Sequence, residues 1–239
     1  MVIVLKTPDD LAAMRVAGRA VWAAVSSAIE TCRAGMTTAG VAGAARAASP
    51  ALEEVVVCVC LNEEAAFAAP GPRRLEPGDL VTVDVAGAIE GWWADAASVA
   101  VVPPSQEASL RLKRAAEGII RAGLASLAPG VSWSVVAAAM RAEAGQRGVG
   151  LAGSLCGHGI GRRLHEGPEL RPGVVEGGRG DIVLGPGMVV TLEPTVTVGR
   201  SGEIIERNGV AITADSGLAC TEERTVAILE ESVMVLTGA

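Results

Sequence analysis

Near the start of the chain, Leu11, Met14, Gly18, Val21, Val25 and Ile29 recur at spacings of three and four. That spacing predicts an amphipathic helix with one buried stripe. Thr7-Pro8-Asp9-Asp10 stands just before it. Threonine caps helices, proline suits the first helical position, and acids favour the positive end of the helix dipole. Gly35 predicts its end. Thr37 or Thr38 opens a second helix, rich in alanine, that stops before Pro50. Residues 55–61 form a continuous apolar run with β-branched members, which predicts a buried strand. Pro70-Gly71-Pro72 breaks the chain.

Residues 80–88 and 92–102 read as two strands joined at Glu90-Gly91, a hairpin. After Pro103-Pro104, Ser105 is expected to cap a helix that runs to Leu127, with Leu110, Ala116, Ile120, Leu124 and Leu127 on its apolar side. Pro129-Gly130 turns the chain, and Ser132 starts a further helix to Gln146. A glycine-rich loop covers 172–181, and strands are expected at 189–198, 209–213 and 223–229. Two stretches echo each other position by position: Pro77-Gly78-Asp79-Leu80-Val81-Thr82-Val83-Asp84 and Pro186-Gly187-Met188-Val189-Val190-Thr191-Leu192-Glu193. Gly35-Met36-Thr37 and Gly130-Val131-Ser132 likewise each sit between two helices. Such a repeat predicts two pseudo-symmetric halves, about 1–104 and 105–239, sharing one core in a single domain.

With 239 residues, half of them hydrophobic, the chain can bury a sizeable core. A net charge of −7, no tyrosine and a single phenylalanine, Phe67, argue against a nucleic-acid partner. No apolar run is long enough to span a membrane, and the opening residues do not form a signal peptide. Five cysteines without a paired CxxC spacing fit reduced thiols, and a cytoplasmic location is expected. Cys58 and Cys60 alternate within the apolar run, so on a strand both face one side.

The chemistry gathers around one stretch. Both histidines lie in Cys156-Gly157-His158-Gly159-Ile160-Gly161-Arg162-Arg163-Leu164-His165. Imidazole is a common metal ligand and an acid or base near neutral pH. The echo puts an acid at the same point of each half, Asp84 and Glu193, at the end of a β-branched run. A charge is costly there unless paired or bound to a cation. The following strands supply Asp95 and Glu223. If Glu90-Gly91 is a two-residue turn, Ile89 faces Trp92 and Ala86 faces Asp95. Asp84 then lies diagonally across from Asp95 on one sheet face, about 7–8 Å away by backbone. A slip of one residue would separate them. Each acid alone is equally consistent with an ordinary strand end; the duplicated placement sets them apart. Four carboxylates and one imidazole make a site for two divalent cations that activate a water for hydrolysis. Such donors suit Mn, Co, Fe or Zn.

At these residues the chain resembles the type I methionine aminopeptidases, of the pita-bread metallopeptidase fold. The resemblance rests on Lys6-Thr7-Pro8-Asp9 with Met14 to Arg19, on Gly78 to Asp84, on Cys156 to Gly161, and on Pro186-Gly187-Met188 through Glu193-Pro194. It implies an α+β fold, with pseudo-symmetric halves and an antiparallel sheet covered by helices. It implies two divalent ions held by Asp84, Asp95, His158, Glu193 and Glu223, with Asp95 and Glu223 bridging. Glu193 would also shuttle the proton of the attacking water, and His165 would contact the scissile peptide. Phe67 and Cys58 would stand on the substrate side. The implied partner is a peptide or nascent-chain N-terminus, and the implied state is a monomer.

The chain departs from the family at three points. Phe67-Ala68-Ala69-Pro70 replaces a His-Gly-[Ile/Val]-Pro run. The segment 49–61 is short and has no aromatic residue. Glu223-Arg224-Thr225 replaces Glu-His-Thr. The departures keep open a divergent metal-dependent hydrolase for another N-terminal residue or small amide. A non-catalytic binding module, and a thiol hydrolase built on Cys156 and His158, are the lesser alternatives.

Overall fold

The computed structural model describes residues 2–199 and 202–238. Its elements in chain order are α1 (Pro8–Thr31), α2 (Thr38–Ala48), β1 (Glu54–Leu61), β2 (Glu64–Ala66), β3 (Leu80–Ile89), β4 (Trp92–Val101), α3 (Glu107–Ser126) and α4 (Trp133–Arg147). There follow β5 (Val149–Leu151), β6 (Gly157–Gly159), β7 (Glu166–Leu170), β8 (Val189–Leu192), β9 (Thr195–Val198) and β10 (Ile204–Arg207). The last are β11 (Val210–Thr213), β12 (Ala219–Thr221), β13 (Glu223–Ile228) and β14 (Val233–Val235). No described helix is long and apolar enough to cross a membrane.

An eight-stranded sheet runs in the order β1-β3-β4-β13-β8-β6-β7, with β14 on β13. Its neighbouring strands are antiparallel. Two three-stranded sheets, β10-β11-β2 and β12-β9-β5, stand beside it. One apolar cluster packs α1 and α2 onto β1, β3 and β4, through Val21, Val25, Val41, Val59 and Val83. Another packs α3 and α4 onto β8, β9 and β13, through Leu112, Ile119, Met140, Leu192 and Val226. Met14, Trp92, Ile160 and Val189 form a third between them. Two helices thus cover each wing of the sheet, and the wings meet where β13 pairs with β4.

The Thr7 cap predicted for α1 is present, and the structure makes it reciprocal: Asp10 N–H donates to Thr7 Oγ1, and Thr7 N–H donates to Asp10 Oδ2. The helix stops at Thr31, before Gly35, which instead turns the chain at φ 85°. Ser105 does not cap α3. Gln106 holds that position without a side-chain bond, and the helix starts at Glu107. Of the expected apolar side, Ala116, Ile120 and Leu127 are buried and Leu110 and Leu124 only partly so; Leu112, Ile119 and Gly123 widen the buried face. Small residues let Leu192 and Met140 lie close at Gly123, and counting large apolar side chains misses such a face. Ser132 caps α4 by position only; Asp181, from the glycine-rich loop, accepts from Ser134 N and Oγ at 2.9 and 3.0 Å. The single strand expected over 189–198 is two strands broken at Glu193-Pro194. There the chain leaves β8's sheet and β9 pairs with β5 and β12.

Candidate metal centre

Glu90 and Gly91 both have positive φ, 50° and 70°, as a tight two-residue hairpin turn requires. The expected register follows: Ile89 faces Trp92 and Ala86 faces Asp95. Asp84 and Asp95 therefore share one face diagonally. Glu223 begins β13 opposite Ala97 of β4, and Arg224 faces Leu192 of β8. Glu193 follows β8 directly, and β6 carries His158 beside β8. The close β6–β7 approach needs glycine: a Cβ on Gly159 would overlap the Gly167 carbonyl oxygen. All five side chains open into one cavity of about 290 Å³, which His165 also lines.

Asp95, His158 and Glu223 present ligand atoms within 4.8 Å of one another. His158 Nε2 lies 3.6 Å from Glu193 Oε1. His158 Nδ1 is 2.9 Å from the Gly159 carbonyl, which can only accept, so Nδ1 carries the proton and the Nε2 lone pair faces the cluster. Burial pushes the His158 pKa down to about 4, so the ring is neutral at physiological pH. Burial also pushes Asp84 up to about 6 and Glu193 up to about 8. Asp95 and Glu223 are raised well above the ordinary range by burial and then by their acidic neighbours. Asp95 Oδ1 and Glu223 Oε1 are buried without a hydrogen-bond partner. Buried carboxylate oxygens that face other carboxylates and find no donor fit a divalent cation.

The cluster is braced by threonines that the sequence reading did not single out. Thr191 Oγ1 donates to Glu193 Oε1 at 2.6 Å and accepts from His158 N–H at 2.9 Å. Thr225 Oγ1 donates to the Asp95 carbonyl at 2.7 Å and accepts the Asp95 N–H at 2.9 Å. Thr191 occupies the same place in the echo as Thr82, a residue of the cavity lining, so the repeat carried a signal for it. Arg224 spans the seam. It donates to the carbonyls of Glu223 and Ala97 and to Glu222 Oε2, and its guanidinium stacks over Trp22 at 4.2 Å.

The His165 ring stands edge-on to His158, with centroids 4.4 Å apart. Phe67 lines the cavity, is 60 % exposed and holds φ at 67°, an uncommon conformation for a bulky residue. Cys58 is opposite Asp84 on β1, but Cys60, two residues along, is the cysteine of that strand that lines the cavity. Burial, with Asp84 and Asp95 nearby, pushes the Cys58 thiol up to about 12. Cys156 lines the cavity too, and burial raises its thiol as well, opposite to what a thiolate nucleophile needs.

The family model described as Metallopeptidase family M24 matches residues 12–230. A methionine aminopeptidase of Treponema pallidum is 34 % identical over 183 residues, covering 75 % of this chain and 71 % of that protein. The methionine aminopeptidase of Escherichia coli K12 is 27 % identical over 251 residues, covering 99 % of this chain and 94 % of that protein. Among solved structures, a methionine aminopeptidase of Thermotoga maritima superposes with a TM-score of 0.90, at 26 % identity and full coverage of both chains. A prolidase of Pyrococcus furiosus shares the fold, with a TM-score of 0.81 at 21 % identity, over 99 % of this chain and 66 % of that one.

Proposed function

This chain belongs to metallopeptidase family M24, and within it to the methionine aminopeptidases; we propose that it removes N-terminal methionine from peptides or nascent chains in a metal-dependent hydrolysis. The observation that carries the reading is the buried cluster of Asp95 and Glu223, whose Oδ1 and Oε1 lack any donor in a cavity shared with three further ligand side chains. Asp84, Asp95, His158, Glu193 and Glu223 would hold two divalent ions from among Co, Mn, Fe and Zn. Bound there, the ions would supply Lewis acidity to a water and to the scissile carbonyl.

The remaining chemistry is the chain's own. Thr191 holds Glu193 Oε1, which leaves Oε2 to take a proton from the attacking water and return it to the leaving amine. Neutral His158 offers Nε2 as a lone-pair donor because the Gly159 carbonyl fixes its tautomer. His165 contacts the peptide at the cavity wall, and Phe67 stands on the substrate side at its mouth. Both wings of the sheet contribute ligands, which supports one working domain over 1–239. All five come from one chain, which supports a monomer as the catalytic unit.

The test is release of methionine from Met-Ala-Ser by metal-stripped protein, with Co, Mn, Fe or Zn added back. Turnover is expected to return with metal and to vanish in Asp95→Ala. Activity that survives both chelation and that substitution would overturn the assignment.

A further inference from the structure

A buried ion pair lies outside the carboxylate cluster, and nothing in the hydrolysis described above uses it. Lys6 Nζ meets Glu166 Oε2 at 2.6 Å, with the two side chains only 2 % and 3 % exposed. Burying two charges is expensive, and apolar residues of similar volume often stabilise a protein equally well or better. What the pair holds in place is therefore informative. Glu166 Oε1 accepts the N–H of Arg163 at 3.2 Å, so this carboxylate clasps the turn 163–166 from within. His165 sits inside that clasp. Among the described residues its imidazole has no hydrogen bond of its own; it rests against His158.

The loop is anchored from two sides. On the hairpin side, Trp93 N–H donates to the Gly161 carbonyl at 2.8 Å, and Arg162 donates to the Glu90 carbonyl at 2.7 Å. Arg162 also lies over the Trp92 ring at 3.9 Å. On the other side stands the segment before α1. Ile3 bridges to Gly167, Lys6 N–H donates to the Gly187 carbonyl at 2.7 Å, and Lys6 Nζ also donates to the Val4 carbonyl at 2.8 Å. The fit is close: a Cβ on Gly161 would come within 2.5 Å of Lys6 Cε and 2.9 Å of Glu166 Oε1. Only glycine leaves room for the pair.

We infer that Lys6 is a positioning residue: through Glu166 it fixes the turn that presents His165 to the catalytic cavity. The inference rests on the reading above that His165 touches the substrate. Without the pair, the five acid and imidazole ligands keep their strands while His165 loses its fixed place. A misplacement of about 1 Å can cost roughly 100-fold in rate.

Lys6→Met alone would strand a buried carboxylate and could unfold the chain. The working variant is therefore Lys6→Met with Glu166→Gln, which removes both charges together. It is compared with His165→Ala and with the triple variant, all as full-length, metal-loaded protein on Met-Ala-Ser. Loss of the pair is expected to lower kcat at least about tenfold, with little change in KM and with metal content unchanged. In the His165→Ala background, removal of the pair is expected to have no further effect, because residues acting as a unit are not additive.

If the two losses multiply, or if kcat survives removal of the pair, the inference is overturned while the hydrolase reading stands. If His165→Ala itself leaves kcat unchanged, both the role of His165 and this inference fall.

Discussion

Replacing Asp95 by asparagine should reverse its effect on stability according to whether metal is present. In the folded chain Asp95 and Glu223 present oxygens within 4.8 Å, and Asp84 and Glu193 add further negative charge. Two unit charges at that distance repel by about 3.5 kcal/mol at an effective dielectric constant of about 20. Without a cation, folding must either bear this repulsion or take up protons that the unfolded chain does not bind. The folded pKa values are raised, so the stability these acids contribute is complete below their unfolded values and is lost as pH rises through the folded ones. With Asp84 at about 6 and Glu193 at about 8, metal-free protein should weaken steadily from about pH 4 to pH 8.

Asparagine at 95 removes one acid without changing shape, and it should stabilise the metal-free protein at pH 8 by about 1–3 kcal/mol. Metal does the opposite. At 100 times its Kd a cation stabilises the wild type by about 2.7 kcal/mol. For a chain of this size that raises Tm by roughly 5–11 °C. The variant should gain little. Calorimetric melts of both proteins at pH 8, with chelator and with Mn, read the effect. Asp95→Asn should melt higher than wild type in chelator and lower in metal. A variant that melts lower in both, or a wild type whose Tm ignores metal, would refute the reasoning.

Glu193→Gln should keep the fold but lower kcat by roughly 10²–10⁴, since it removes the group that moves the proton; steady-state kinetics at saturating metal test this. Cys156→Ala should retain turnover, because burial keeps that thiol protonated and a thiol is a poor nucleophile. Gly159→Ala should lower Tm sharply or prevent folding, since its Cβ would overlap the Gly167 carbonyl oxygen and force β6 away from β7; thermal melts report it. Met140→Ala, inside the α3–α4 cluster, should cost about 2–5 kcal/mol in urea unfolding while leaving metal stoichiometry unchanged.

Much of the site was legible in the chain because its information is local. Glu90-Gly91 sets a two-residue turn, the turn sets the register, and the register puts Asp84 and Asp95 on one face. The echo of 77–84 in 186–193 then points to Glu193. The helices were legible for the same reason, since capping and periodicity act over a few residues. Tertiary structure alone decided what depends on distant partners. The pairs Glu223–Ala97 and Arg224–Ala96, with the Thr225–Asp95 hydrogen bonds, join β13 to β4 and bring the carboxylates of the two halves together. Asp181 supplies the α4 cap from the loop between β7 and β8, and Lys6 reaches Glu166 across 160 positions. Cys60 rather than Cys58 lines the cavity, a choice between two same-facing residues that alternation cannot make. Local patterns report which way a side chain points within its own element. They carry no record of which other element will be there to meet it, since that is settled by the packing of the whole sheet and its helices.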